Sequence, residues 1–255
     1  HVIIIADCDA DGKIWTRFMT LQPDDTESFS SWAALTDTGA CIDSPEMISH
    51  MANGTHEDGI FLYYVTSSHN VETYHLDIQD LETLSWVHIG KVTMSGGSDI
   101  VSKAAMTVTT KTTQTCGSSA CIYAAYAGNS NSQVHVIKYN PGTNNWDSYD
   151  TIFNGTTITS NDKVAFVWNK WSEHSTGRFW LGWRPTVSDL PRLTFTDRDG
   201  LFGSHSYWNA YHTHTLQGLD FLRDGDKIRA ADVDAVDNTV RFWQNMDGLL
   251  PYMLS

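Results

Sequence analysis

Two imidazoles and a phenol crowd one short stretch, Tyr207-Trp208-Asn209-Ala210-Tyr211-His212-Thr213-His214. Imidazole and phenol are the side chains best placed to donate to, or shuttle protons with, a substrate near neutral pH, so Tyr211, His212 and His214 are candidates for polarising a carbonyl. In an extended segment His212 and His214 point to the same side, which is also the spacing of a metal pair. No third Cys, Asp or Glu stands close by, and no metal is assigned. A second stretch, from Trp168 to Trp183, holds four of the ten tryptophans. Flat rings of this kind wall a planar ligand or fill the space between packed sheets. Trp168, Trp183, Trp208 and His50 are candidate ligand contacts, with Glu46 and Asp220 as candidate acids.

Other patterns offer further chemistry. Asp7-x-Asp9-x-Asp11-Gly12 opens like a calcium loop, but Phe18 stands where such a loop needs a bidentate Glu. A tight Asp/Gly hairpin explains the same letters. His1 would suit a copper brace only on a β-sandwich. Glycoside hydrolysis needs two carboxylates facing one cavity. Glu46 and Asp220 could supply them, or could join Lys103 and Lys163 in a ring of salt bridges. No GxSxG, Walker, Rossmann or HExxH pattern occurs.

Composition narrows the classes. Among 255 residues, 16 basic against 30 acidic side chains leave a net charge of −14. Such a chain is repelled by phosphate backbones and anionic lipid, so neither nucleic acid nor a membrane is an expected partner. There is no run of 18 apolar residues to span a bilayer. Ten each of Trp, Tyr and Phe indicate a packed core. The chain opens on His1, its four cysteines lack CxxC spacing, and sequons stand at Asn53 and Asn154. These features fit a secreted or secretory-pathway protein with disulfides and N-glycans at those asparagines.

The elements that must position these groups repeat. An apolar strand, a polar turn and a second strand ending in aromatics recur from residues 2, 60, 121, 179 and 228, at spacings of 58, 61, 58 and 49. A further short strand precedes the last four copies, at Glu46–Ala52, Lys103–Thr109, Lys163–Asn169 and Gly218–Arg223. Helical periodicity is almost absent. Four strands per unit of about 50 residues is the pattern of a propeller blade. The expected fold is all-β: residues 1–255 as one five-bladed β-propeller domain with four strands in each blade. A β-sandwich is the alternative. Leu249–Leu254 would close the ring or end the fifth blade. In a propeller, turns between strands two and three share a face with the connections between blades. That places Cys8 near Cys41, while Cys116 and Cys121 flank a hairpin on the other face, giving Cys8–Cys41 and Cys116–Cys121 as the expected bridges.

Ile228–Val233 followed by Thr239–Gly248 resembles a blade of the fungal fucose-specific lectin propellers, with its Arg-Phe-Trp-Gln strand and Asp-Gly turn. That resemblance implies sugar sites built from an Arg, a Glu and a Trp between blades. Arg241 falls in the Arg position, with Arg17 and Arg192 as looser matches, and a neighbouring Trp would complete the platform. Leu249-Leu250-Pro251 stands where the Glu would be. A second resemblance, in size, secretion and degenerate repeat, is to the secreted fungal hetero-Diels–Alderases of tropolone sesquiterpenoid biosynthesis. It implies a cofactor-free pericyclase acting on a small apolar polyene or tropolone-type ligand. In that reading Tyr211, His212 and His214 donate to an enone oxygen, and Glu46 or Asp220 assists dehydration. Because the outline repeats while its decoration does not, one asymmetric pocket is the leading expectation. A glycan-binding lectin is the alternative, and a glycoside hydrolase a further one.

Overall fold

The computed structural model describes residues 2–21, 24, 26–35, 39–42, 44–50, 59–78, 84–94, 107–116, 119–140, 145–150, 152–153, 156–160, 164–169, 178–186, 192–195, 208–209, 216–224, 227–234, 239–245 and 251–254. Every regular element among them is a strand. The first unit comprises β1 (Val2–Cys8), β2 (Ile14–Leu21), β3 (Glu27–Phe29) and β4 (Ala33–Ala34), with β3 and β4 sharing one edge of β2. The second holds β5 (Glu46–His50), β6 (Gly59–Val65), β7 (Val71–Asp77) and β8 (Trp86–Met94). The third holds β9 (Thr107–Cys116), β10 (Ser119–Ala127), β11 (Val134–Asn140) and β12 (Asn145–Asp150). A small hairpin, β13 (Ile152–Phe153) and β14 (Thr156–Thr157), follows. The fourth unit holds β15 (Ala165–Asn169), β16 (Arg178–Trp183), β17 (Arg192–Phe195) and β18 (Trp208–Asn209). The fifth holds β19 (Leu216–Asp224), β20 (Lys227–Asp234), β21 (Val240–Asn245) and β22 (Pro251–Leu254). Each of the last four units is an antiparallel meander in chain order. The C-terminal strand β22 pairs with β21 and so ends the fifth unit.

Why these segments become strands follows from their burial. Phe61–Val65, Cys121–Ala127 and Phe179–Trp183 are continuous apolar runs, the signature of strands covered on both faces. Alternation then sends successive residues to different neighbours. Leu62, Tyr64 and Tyr74 pack with Ile14 and Cys41, between units one and two. Phe61, Tyr63 and Val65 pack with Ile122, Ala124, Tyr126, Tyr139 and Trp146, between units two and three. Cys121, Tyr123 and Ala125 pack with Phe166, Trp168, Phe179, Leu181 and Trp183, between units three and four. Large rings fill each gap, as between Tyr63 and Trp146, whose centroids lie 5.7 Å apart nearly edge-on.

The first strands of successive units lie beside one another, β5 by β9, β9 by β15 and β15 by β19. Two hydrogen bonds tie β9 to the fourth unit: the Thr107 hydroxyl donates to the Val164 carbonyl at 2.6 Å, and the Trp168 amide donates to Thr109 Oγ1 at 3.0 Å. Sheets stacked face to face around a set of adjacent first strands make the fold a β-propeller. Units two and three are joined further, since Asn145 and Trp146 of β12 pair in parallel with Thr93 and Met94 of β8.

The connections between units are clamped. Cys41 pairs with Thr66, its amide donates to the Gly12 carbonyl at 2.8 Å, and the Ser67 amide donates to the Ala40 carbonyl at 2.6 Å. The segment between units one and two thus bonds to a hairpin turn in each. Residues 158–160 do the same between units three and four. Val134 N–H donates to Ile158 O, Ser160 N–H donates to Ser132 O, and Ser160 pairs with Pro185. The Cys8–Cys41 disulfide covalently reinforces the first clamp. Cys121 is also disulfide-bonded. Its expected partner Cys116 ends the adjacent strand, where the residue opposite it is Ser119; the Cys116 side chain lies outside the described residues.

Candidate functional site

The outer face of the first unit is apolar and open to water. Alternation along β2 sends Ile14 and Thr16 inward, where both are buried, and Arg17 outward. Ile5 stands directly opposite Arg17 across the β1–β2 ladder, and Ile3 opposite Met19. The pairing of Met19 with Phe29 brings β3 alongside, and Trp32 follows before β4. Ile3, Ile5, Phe29 and Trp32 are 45%, 38%, 46% and 44% exposed. An apolar strip of this kind on a water-facing sheet marks a contact surface.

Arg17 lies across this strip. Its guanidinium carbon is 4.2 Å from the Phe29 ring centroid and 5.8 Å from that of Trp32. The Nε–H donates to the Ser30 carbonyl at 3.0 Å. The Ser30 amide donates to the Phe18 carbonyl at 2.9 Å and the Ser30 hydroxyl accepts the Phe18 amide at 3.0 Å, holding the loop in register. An arginine fork stacked on one ring, with a second ring beside it, combines an apolar platform with directed donors.

The neighbouring Asp-rich turn is a hairpin device. Asp9 Oδ1 accepts from the Asp11 and Lys13 amides at 2.9 and 2.8 Å, and Oδ2 accepts from the Trp15 indole at 2.7 Å. The Lys13 amide first, then the Trp15 indole, hold its carboxyl below the ordinary carboxylate range. Both oxygens serve the turn. Among the described residues no group of three or more His, Cys, Asp or Glu could hold a metal ion. An open recess of about 490 Å³ sits here, lined by Cys8, Asp9, Asp11, Gly12, Ala40 and Cys41 among others.

A carboxylate–imidazole pair that the sequence did not single out lies on the second unit. Glu72 Oε2 is 3.1 Å from His88 Nε2, and the His88 ring lies 4.7 Å from that of Tyr74. Glu72 is buried and Tyr74 belongs to the cluster facing unit one, so this pair is part of that interface.

The expected site residues are dispersed. Trp168 and Trp183, at 1% and 2% exposure, are fillers between units three and four, not walls of an open pocket. Glu46 lies on β5 opposite Tyr63, and Asp220 on β19 opposite Ala231. Both are on first strands, but β9 and β15 intervene between the two. His50 ends β5 opposite Gly59, Trp208 lies on β18 opposite Leu193, and Arg241 on β21 opposite Asp232. Tyr211, His212, His214, Lys103, Lys163 and the sequons Asn53 and Asn154 lie outside the described residues. Arg17, Arg192 and Arg241 sit on β2, β17 and β21, the strand preceding the last pairing in each unit. Sequence reasoning missed Phe29 and Trp32; the available signal was an arginine followed by an aromatic twelve residues on and a tryptophan fifteen residues on.

Solved fungal propellers share this architecture. AofleA from Arthrobotrys oligospora aligns over 100% of this chain and 69% of its own, at a TM-score of 0.64 and 8% identity. The lectin of Aleuria aurantia, solved as a mutant in complex with Fucα1-6GlcNAc, aligns over 100% of this chain and 78% of its own, at 0.55 and 13% identity. The latter lectin is a six-bladed β-propeller with a novel mode of fucose recognition. At these identities the likeness concerns the fold, which is that of the fucose-lectin-like propellers; it does not carry the number of blades. No protein-family model matches the chain, and neither does any curated protein.

Proposed function

We propose that the protein is a glycan-binding propeller of lectin type whose best-formed described site is the Arg17–Phe29–Trp32 platform. The observation that carries this reading is the Arg17 guanidinium stacked over Phe29 beside an exposed Trp32. Aromatic faces take the C–H side of a pyranose, and an adjacent arginine directs hydrogen bonds to its substituents. The likeness to lectins crystallised with fucosides supports it. Arginines on the corresponding strands of units four and five extend the theme, with the five units as the blades of one ring. A disulfide between the first turn and the first connection fits an oxidising, extracellular setting.

The test is a glycan array followed by calorimetry on the full chain. Saccharide binding that Trp32→Ala weakens about tenfold or more, with the circular dichroism unchanged, supports the reading. No retained glycan at millimolar concentration overturns it. The pericyclase expectation rests on Tyr211, His212 and His214 and receives no support from the described residues.

A further inference from the structure

We propose that the Arg17 platform selects acidic saccharides, those carrying a carboxylate or a sulfate, over neutral ones. The inference rests on the glycan-binding reading above and concerns the same site.

The argument is a count of donors and acceptors. A guanidinium carries five N–H donors. At Arg17 one of them, Nε–H, is spent on the Ser30 carbonyl, and the remaining contacts are to the faces of Phe29 and Trp32. The four hydrogens on the two Nη atoms find no acceptor among the described residues. Among the described residues no carboxylate pairs with the guanidinium; the carboxylate–imidazole contact of Glu72 with His88 lies on another unit. The described acceptors bonded at Ser30 each already hold a partner. The Ser30 carbonyl takes Nε–H, and the Ser30 hydroxyl accepts the Phe18 amide and donates to the Ser31 carbonyl. Glu27 is on the same strand as Phe29, but it lies opposite Leu21, two ladder positions further from Arg17.

A sugar hydroxyl both donates and accepts, so a site built for a neutral sugar offers donors and acceptors together. Among the described residues this one presents the free donors of Arg17, in the planar fork that matches the two oxygens of a carboxylate or sulfate. Ring stacking lowers the guanidinium's exposure to water and strengthens its pull on an anion. In a chain of net charge −14, an arginine between exposed rings, with no carboxylate partner among the described residues, is a local exception to the acidic field. The exposed Ile3 and Ile5 extend an apolar floor beneath the remainder of the saccharide.

The experiment titrates the full chain with four probes: α-methyl fucoside as the neutral sugar, methyl glucuronide and N-acetylneuraminic acid as carboxylates, and N-acetylglucosamine 6-sulfate. The expected result is tighter binding of at least one acidic probe than of the fucoside. Raising NaCl to 0.5 M should weaken it several-fold, and Arg17→Met should weaken it about tenfold to a hundredfold. Arg17→Lys, which keeps the charge without the fork, should recover only part of the loss, and unchanged thermal midpoints exclude misfolding. The carboxylate and sulfate arms separate the two sources of charge. Preference for the fucoside with equal dependence on Arg17 overturns the acidic selectivity and leaves the glycan reading standing. Acidic binding that Arg17→Met does not alter overturns the assignment of this site. No binding of any probe overturns both.

Discussion

Single residues in the hairpins that lead into β2, β7 and β11 carry a repeat that the letters conceal. Gly12, His69 and Ser132 have φ of 77°, 58° and 57°. Each stands two residues before the strand its hairpin leads into, β2, β7 or β11. The left-handed conformation is free only for glycine and costs other residues about 1–2 kcal/mol. Ser132→Gly should therefore stabilise the protein by about 0.5–1 kcal/mol, part of the relief being offset by the freer unfolded chain. Gly12 is required twice over, because a Cβ there would lie 2.6 Å from the Ala40 Cβ on the passing connection. Gly12→Ala should cost about 2–3 kcal/mol, read in both cases from the urea midpoint at constant slope. Asp9 in the same turn has its carboxyl held low by the Lys13 amide and Trp15 indole. Its contribution to stability is fully present above the unfolded value of about 3.9 and is lost as pH falls through the lower folded value. Asp9→Asn should flatten the acid limb of the stability profile below about pH 4, measured by chemical denaturation from pH 2 to 7.

At the scale of elements, the connections do as much as the strands. Residues 40–42 bond to the turn of the unit they leave and to the turn of the unit they enter, and residues 158–160 repeat the arrangement. The first clamp also contains a disulfide across a sequence separation of 33. In the chain-entropy account, replacing both Cys8 and Cys41 by Ser should cost about 3–4 kcal/mol. The backbone bond from Cys41 N–H to Gly12 O remains available, so unit one should stay folded in the variant. Urea melts of native and variant protein, with the 280 nm and far-ultraviolet transitions compared, test both parts. A variant as stable as the native chain would mean the backbone clamp alone closes the interface.

Across the whole molecule, legibility in the sequence followed burial. The second strands were readable because burial on both faces turns them into unbroken apolar runs, as at Phe61–Val65 and Cys121–Ala127. Their expected starts at 60, 121, 179 and 228 fall within two residues of β6, β10, β16 and β20. The Cys8–Cys41 pairing was readable from the same repeat, since a turn and a connection had to share one face. Pairings without a local signal were not readable: the parallel contact of β12 with β8, the split of one edge into β3 and β4, and the β13–β14 hairpin. The site was harder still. Tryptophan serves cores and ligand pockets alike, and only the register that brings Phe29 beside Met19 puts rings next to Arg17.

That the connections at residues 40–42 and 158–160 are each bonded to two hairpins limits how such a ring can be recombined. A graft cut at the linker between two modules would strip backbone partners from both, on the side kept and the side replaced. Seams placed between β7 and β8, or between β11 and β12, leave those bridges whole and exchange an edge strand instead, touching only the short parallel pairing of β12 with β8. Chimeras spliced there should express as folded proteins, whereas those spliced at residues 40–42 or 158–160 should not.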